Sequence, residues 1–90
     1  GEVRGNHYHT RKVEWFCVPT GKGLLLLKDR ETGETREVLM GVDDLKTIKI
    51  EPGAIHAIKN IGEGDMVLIV YSNESFDPED PDTFYEKILE

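Results

Sequence analysis

Gly5-Asn6-His7-Tyr8-His9-Thr10-Arg11-Lys12-Val13-Glu14-Trp15-Phe16-Cys17-Val18 opens a run of short segments with β character. Val3 to His9 reads as a first strand. Lys12 to Val18, rich in aromatic and β-branched residues, reads as a second. Along a strand, residues i and i+2 point to the same face. His7 and His9 therefore fall side by side, and Glu14 can come alongside from the next strand.

The same pattern continues outward. Pro19-Thr20-Gly21-Lys22-Gly23 breaks the second strand, with two glycines able to take positive φ. Leu24 to Lys28 forms a third strand, and Asp29 to Gly33 a hairpin turn with Thr32-Gly33 at its tip. Thr35 to Met40 returns, Gly41 to Asp44 loops, and Leu45 to Ile50 alternates polar and apolar residues. Pro52-Gly53 turns the chain into a strand over Ala54 to Lys59. Asn60 to Asp65 turns it again into Met66 to Tyr71. From about residue 73 to 90 the chain is acidic and proline-punctuated, which predicts a surface arm. Within it, Asp82 to Leu89 fits one or two helical turns with Asp82 as N-cap. Six to eight closely spaced strands with Gly and Pro turns imply an all-β sandwich or barrel.

The chain has 90 residues, which fits one small domain spanning residues 1–90. A core this limited calls for reinforcement by a metal or a partner subunit. Eighteen acidic residues stand against 11 basic ones, a net charge of −7. That excess disfavours binding to nucleic-acid phosphates or to an anionic membrane surface. Cys17 is the single cysteine, so no intrachain disulfide forms. It reads as a packed small residue rather than a reactive thiol. The longest apolar run, Leu24 to Leu27, has four residues, far below a membrane span. The expectation is a cytoplasmic protein. Its start at Gly1 also fits an excised piece of something longer.

His56 lies far from the first histidines in sequence, just after Pro52-Gly53. Alone, each of these residues would be ordinary: an exposed histidine, a surface carboxylate, a half-buried imidazole. Together, His7, His9, Glu14 and His56 use all three histidines of the chain. Three imidazoles and a carboxylate suit one divalent metal ion. The ligand set alone does not choose among zinc, iron, manganese, nickel and copper; the expectation carried forward is zinc first, with nickel, manganese or iron next.

Gly5-Asn6-His7-Tyr8-His9, Glu14 and Gly21 resemble the first motif of the cupin superfamily. Pro52-Gly53-Ala54-Ile55-His56 with Asn60 resembles the second, although Glu51 stands where its first proline usually does. The resemblance implies a small cupin barrel (a double-stranded β-helix, or jelly roll) with His7, His9, Glu14 and His56 as metal ligands. Arg4 to His9, and the tail from Ser72 through Phe84, further resemble cupin domains of capsular-polysaccharide and nucleotide-sugar biosynthesis. Full-length relatives carry one or two strands before the first motif.

That narrower resemblance implies an epimerase or isomerase of a nucleotide-linked 4-keto sugar. Such chemistry removes a proton beside a ketone and returns it to the other face. Tyr8 and Tyr71 are candidate proton donors, and Glu14 a candidate base if it does not ligate the metal. Arg4, Lys12 and Lys28 are candidate diphosphate ligands. A metal-dependent dioxygenase and a non-catalytic metal- or sugar-binding module are the alternatives. Trp15, Cys17, Leu25 and Leu27 are expected to form an outward apolar row, which predicts a homodimer.

Overall fold

A computed structural model describes residues 2–90. Eight strands follow in order: β1 Val3–Tyr8, β2 Glu14–Thr20, β3 Lys22–Asp29, β4 Thr35–Gly41, β5 Thr47–Ile50, β6 Ala54–Asn60, β7 Val67–Ser72 and β8 Phe84–Tyr85. They build two antiparallel sheets. One has the order β4-β3-β6-β1-β8, the other β5-β2-β7. Sequential strands rarely pair, so most of the sheet contacts close long loops.

The sheets face each other across an apolar core of Phe16, Val18, Leu25, Val38, Met40, Ile50 and Ile58. Alternation places them there: Phe16 and Val18 on β2, Val38 and Met40 on β4. Burial of such side chains stabilises by about 1.5–3 kcal/mol each. His56, fully buried, extends this layer toward the chain's histidine end, with its ring edge-on to Phe16 at 5.4 Å.

The β3–β4 hairpin follows the turn chemistry. The Asp29 carboxylate accepts the amides of Glu31 and Thr32, and Gly33 takes φ 76° at the tip. Gly5 meets a different demand. A Cβ there would stand 2.7 Å from the His56 carbonyl oxygen, so only glycine lets β1 approach β6 this closely. The register shifts between Gly5 and His7, with Asn6 at φ 55°. This bulge re-aims β1 so that His7 comes opposite His56.

Two expectations are corrected. Leu25 and Leu27 do not face outward. Leu25 is fully buried and Leu27 packs against the core, while Leu24 and Leu26 occupy the outer face. A run of four leucines carries no alternation, so only the pairing of Leu25 with Val38 and Ile58 sets its face. The predicted helical turn over Asp82 to Leu89 is also absent. Phe84 and Tyr85 form β8 instead, paired with Tyr8 and His7. An isolated helix of eight residues is marginal in water, and pairing with β1 supplies what it lacks.

Candidate metal centre

Four side chains from four places in the chain converge between the sheets. His7 comes from β1, His9 from the turn after it, Glu14 from the start of β2, and His56 from β6. One donor atom from each lies within 4.8 Å of the others. The His7 ring is 5.1 Å from that of His9 and 4.6 Å from that of His56.

Two of the imidazoles are oriented by main-chain carbonyls. His9 Nδ1 is 2.6 Å from the Asp82 carbonyl oxygen, and His56 Nδ1 is 3.1 Å from that of Ala54. A carbonyl oxygen only accepts, so each Nδ1 carries the proton. Both Nε2 atoms then face Glu14. His9 Nε2 lies 2.9 Å from Glu14 Oε1, within hydrogen-bond reach. His56 Nε2 lies 3.4 Å from the same oxygen but is not aligned with it, and remains a buried nitrogen without a hydrogen-bond partner. Such an orphan is rare in a folded protein, and a further group can complete the site there.

The charges are strongly coupled. Burial, reinforced by repulsion from His56 and His9, lowers the His7 pKa to about 4, so its lone pair is free at neutral pH. Contact with Glu14 raises that of His9 against the pull of burial, with the Asp82 carbonyl adding to the effect. Burial pushes Glu14 up, yet the neighbouring His56 and His9 outweigh it and hold the carboxyl at about 2. An ionised carboxylate and imidazole lone pairs within a few ångströms are what a divalent cation of the zinc or iron type binds. The orphaned His56 Nε2 and this donor set fit one such ion.

The other sequence-derived candidates lie elsewhere. Tyr8 is on the outer face of its sheet, stacked on Phe84 with the Arg30 guanidinium 4.0 Å above its ring. Tyr71 is opposite Trp15 on the outer face of β7, away from Glu14. Lys12 is buried, with its Nζ donating to the Pro81 carbonyl and lying over the Phe76 ring, so it braces the arm. Lys28 pairs with Ile55, on the sheet face opposite His56. Arg4 lines an open cleft of about 500 Å³ between β1 and β7, together with Asn60, Leu68 and Val70. Tyr85, which the sequence reading did not single out, stands edge-on to His7 at 5.8 Å with its side chain exposed. Its i+78 relation to His7 left no local signal.

Known proteins share this arrangement of chain. The model for the polysaccharide biosynthesis C-terminal domain matches residues 1–84. UDP-2-acetamido-2,6-beta-L-arabino-hexul-4-ose reductase of Pseudomonas aeruginosa is 37% identical over 93% of the chain, which spans 23% of that protein. The Haloferax volcanii protein named "Probable low-salt glycan biosynthesis epimerase Agl13" is 32% identical over 91% of the chain, which spans 56% of it. The crystal structure of the capsular polysaccharide assembling protein CapF from Staphylococcus aureus superposes with a TM-score of 0.94 at 39% identity, covering 98% of this chain and 26% of that one. The chain thus spans between about a quarter and about half of these relatives. Two facing antiparallel sheets and this superposition establish a small all-β, cupin-like fold. Matched over residues 1–84, the chain belongs to the polysaccharide biosynthesis C-terminal domain family.

Proposed function

We propose that this chain binds one divalent metal ion, zinc first, and acts as an epimerase or isomerase on a nucleotide-linked 4-keto sugar in polysaccharide biosynthesis. The observation that carries the metal is the convergence of His7, His9, Glu14 and His56 around an unpartnered buried Nε2. The sugar class comes from the family and from relatives named as a UDP-hexul-4-ose reductase and a glycan biosynthesis epimerase.

His7, His9, Glu14 and His56 would hold the ion, which when bound supplies Lewis acidity toward a carbonyl oxygen. The chain's own groups do the rest. Glu14, committed to the histidines, leaves the role of proton carrier to other residues. Tyr85, whose exposed ring stands 5.8 Å from that of His7, is the candidate proton donor at the rim. Arg4, in the cleft between β1 and β7, is the candidate cation for a diphosphate, which would have to displace Glu2 from it, 3.4 Å away, and pass Asp65 in the same lining. A homodimer remains part of this reading. Its contact moves from the expected row to β7, an edge strand whose outer-face Ile69 and Tyr71 are exposed and uncharged.

The test joins two measurements on the chain and on His7→Ala with His56→Ala. Elemental analysis is expected to find about one metal per wild-type chain and none in the double variant. A UDP- or TDP-linked 4-keto sugar in deuterium oxide is expected to gain deuterium beside the ketone with wild type alone. A metal-loaded wild type that exchanges no proton would instead establish a metal- or sugar-binding module. That second reading draws on the absence, among the described residues, of a buried acid–base group in the cluster beyond the four ligands.

A further inference from the structure

We propose that Asp82 is a positioning residue for the metal centre, and that the C-terminal arm exists in part to aim His9. The inference rests on the metal-binding reading above and adds a residue outside the ligand set.

Asp82 acts through both of its ends. Its main-chain oxygen receives the His9 Nδ1 proton at 2.6 Å. Its carboxylate accepts the Thr10 amide at 2.9 Å, the Thr10 hydroxyl at 2.5 Å, the Arg11 amide at 2.9 Å and the Lys12 amide at 3.1 Å. The side chain therefore grips the three residues that follow His9, while the carbonyl grips the His9 ring itself. Asp82 is 4% exposed and sits at φ 48°, a left-handed conformation that aspartate tolerates better than most residues. Four donors compensate the burial of this carboxylate, so Asp82 holds the segment after His9 firmly although it stands 73 residues away.

The rest of the arm holds Asp82 in place. Lys12 Nζ donates to the Pro81 carbonyl, and Arg11 reaches the Asp80 carboxylate. Asn6, at the bulge before His7, accepts the Ile88 and Leu89 amides through Oδ1 and donates to the Leu89 carbonyl through Nδ2. The arm is thus tied at both flanks of the His7–His9 pair. With Nδ1–H fixed on Asp82, only Nε2 of His9 is presented to the cluster. Outer partners of this kind typically matter 10–100-fold, about that order, in metal affinity.

The experiment compares wild type, Asp82→Asn and Asp82→Ala. Zinc affinity is measured by competition with a chromophoric chelator, and the His9 Nδ1 proton is followed by proton–nitrogen NMR on metal-free protein. Asp82→Ala is expected to weaken zinc roughly 10–100-fold and to lose the protected Nδ1–H signal. Asp82→Asn, which keeps one accepting oxygen, is expected to fall between the two. If Asp82→Ala does not fold, Asp82→Asn and Thr10→Val carry the same comparison. Wild-type affinity and an unchanged Nδ1–H signal in the folded variants would overturn the proposal. A wild type that takes up no zinc would overturn the metal reading, and the Nδ1–H signal alone would then decide whether Asp82 aims His9.

Discussion

Two flanks of the molecule, one around His9 and one along β7, are held in opposite ways. Around His9, backbone and side-chain polar groups are partnered, and one residue of the arm accepts five hydrogen bonds. Along β7, an edge strand of the smaller sheet, Ile69 is 54% exposed and Tyr71 71%. The first flank is built to fix atoms in position. The second presents apolar area and unpaired backbone, which suits association rather than chemistry. The difference teaches that the limited burial available to a 90-residue chain is concentrated behind its donor cluster.

The largest effect is expected where the contrast is sharpest. His56→Ala removes a fully buried donor. Zinc affinity is expected to fall by more than about a hundredfold, beyond the range of an outer-shell change. Chelator competition checks this, and affinity within a few-fold of wild type would break the assignment of His56 as a ligand. Ile58→Ala, in the core beneath the cluster, is expected to cost about 2–5 kcal/mol in urea unfolding, whereas Ile69→Ala on β7 should stay within about 0.5 kcal/mol for the monomer. Equal costs would erase the distinction between the flanks.

Acid provides a third probe, applied to metal-free protein. His7 has a folded-state pKa of about 4 against an ordinary 6.5. Between those values the unfolded chain binds more protons than the folded one, so stability falls as pH drops through that window. His9 is shifted upward, so its contribution is complete below 6.5 and is lost only as pH rises through its folded-state value. Glu14 is depressed to about 2 from 4.5, so its contribution is lost only below 4.5. The slope between 6.5 and 4.5 therefore belongs to His7 among these three, and His7→Gln is expected to flatten it. The smallest effect concerns β7. Ile69→Lys is expected to leave zinc affinity unchanged and shift sedimentation from dimer to monomer. A wild type already monomeric at micromolar concentration would remove the proposed role of that edge.

Most strands lie within one or two residues of the segments that alternation and turn residues mark out. The exceptions have physical causes. Leu24 to Leu27 offer the same chemistry at every position, so nothing local tells which leucines enter the core. Lys12 looks like a solvent-facing cation beside a histidine motif, and only Pro81 and Phe76 make it a brace. Asp82 looks like the N-cap of a short helix. It does receive backbone amides, as an N-cap would, but those of residues 10–12 on another segment.

By itself, the sequence determined the all-β class and pointed to His7, His9, Glu14 and His56, four residues that the fold brings together. Strand periodicity and the spacing of His7, His9 and Glu14 are local properties, readable wherever the chain is extended. Tertiary structure alone decided which nitrogen of His9 faces the cluster, that Tyr85 rather than Tyr71 stands at its rim, and that the C-terminal arm pairs as a strand. Each of those depends on contacts between segments some 70–80 residues apart, made largely through main-chain atoms that every residue type carries.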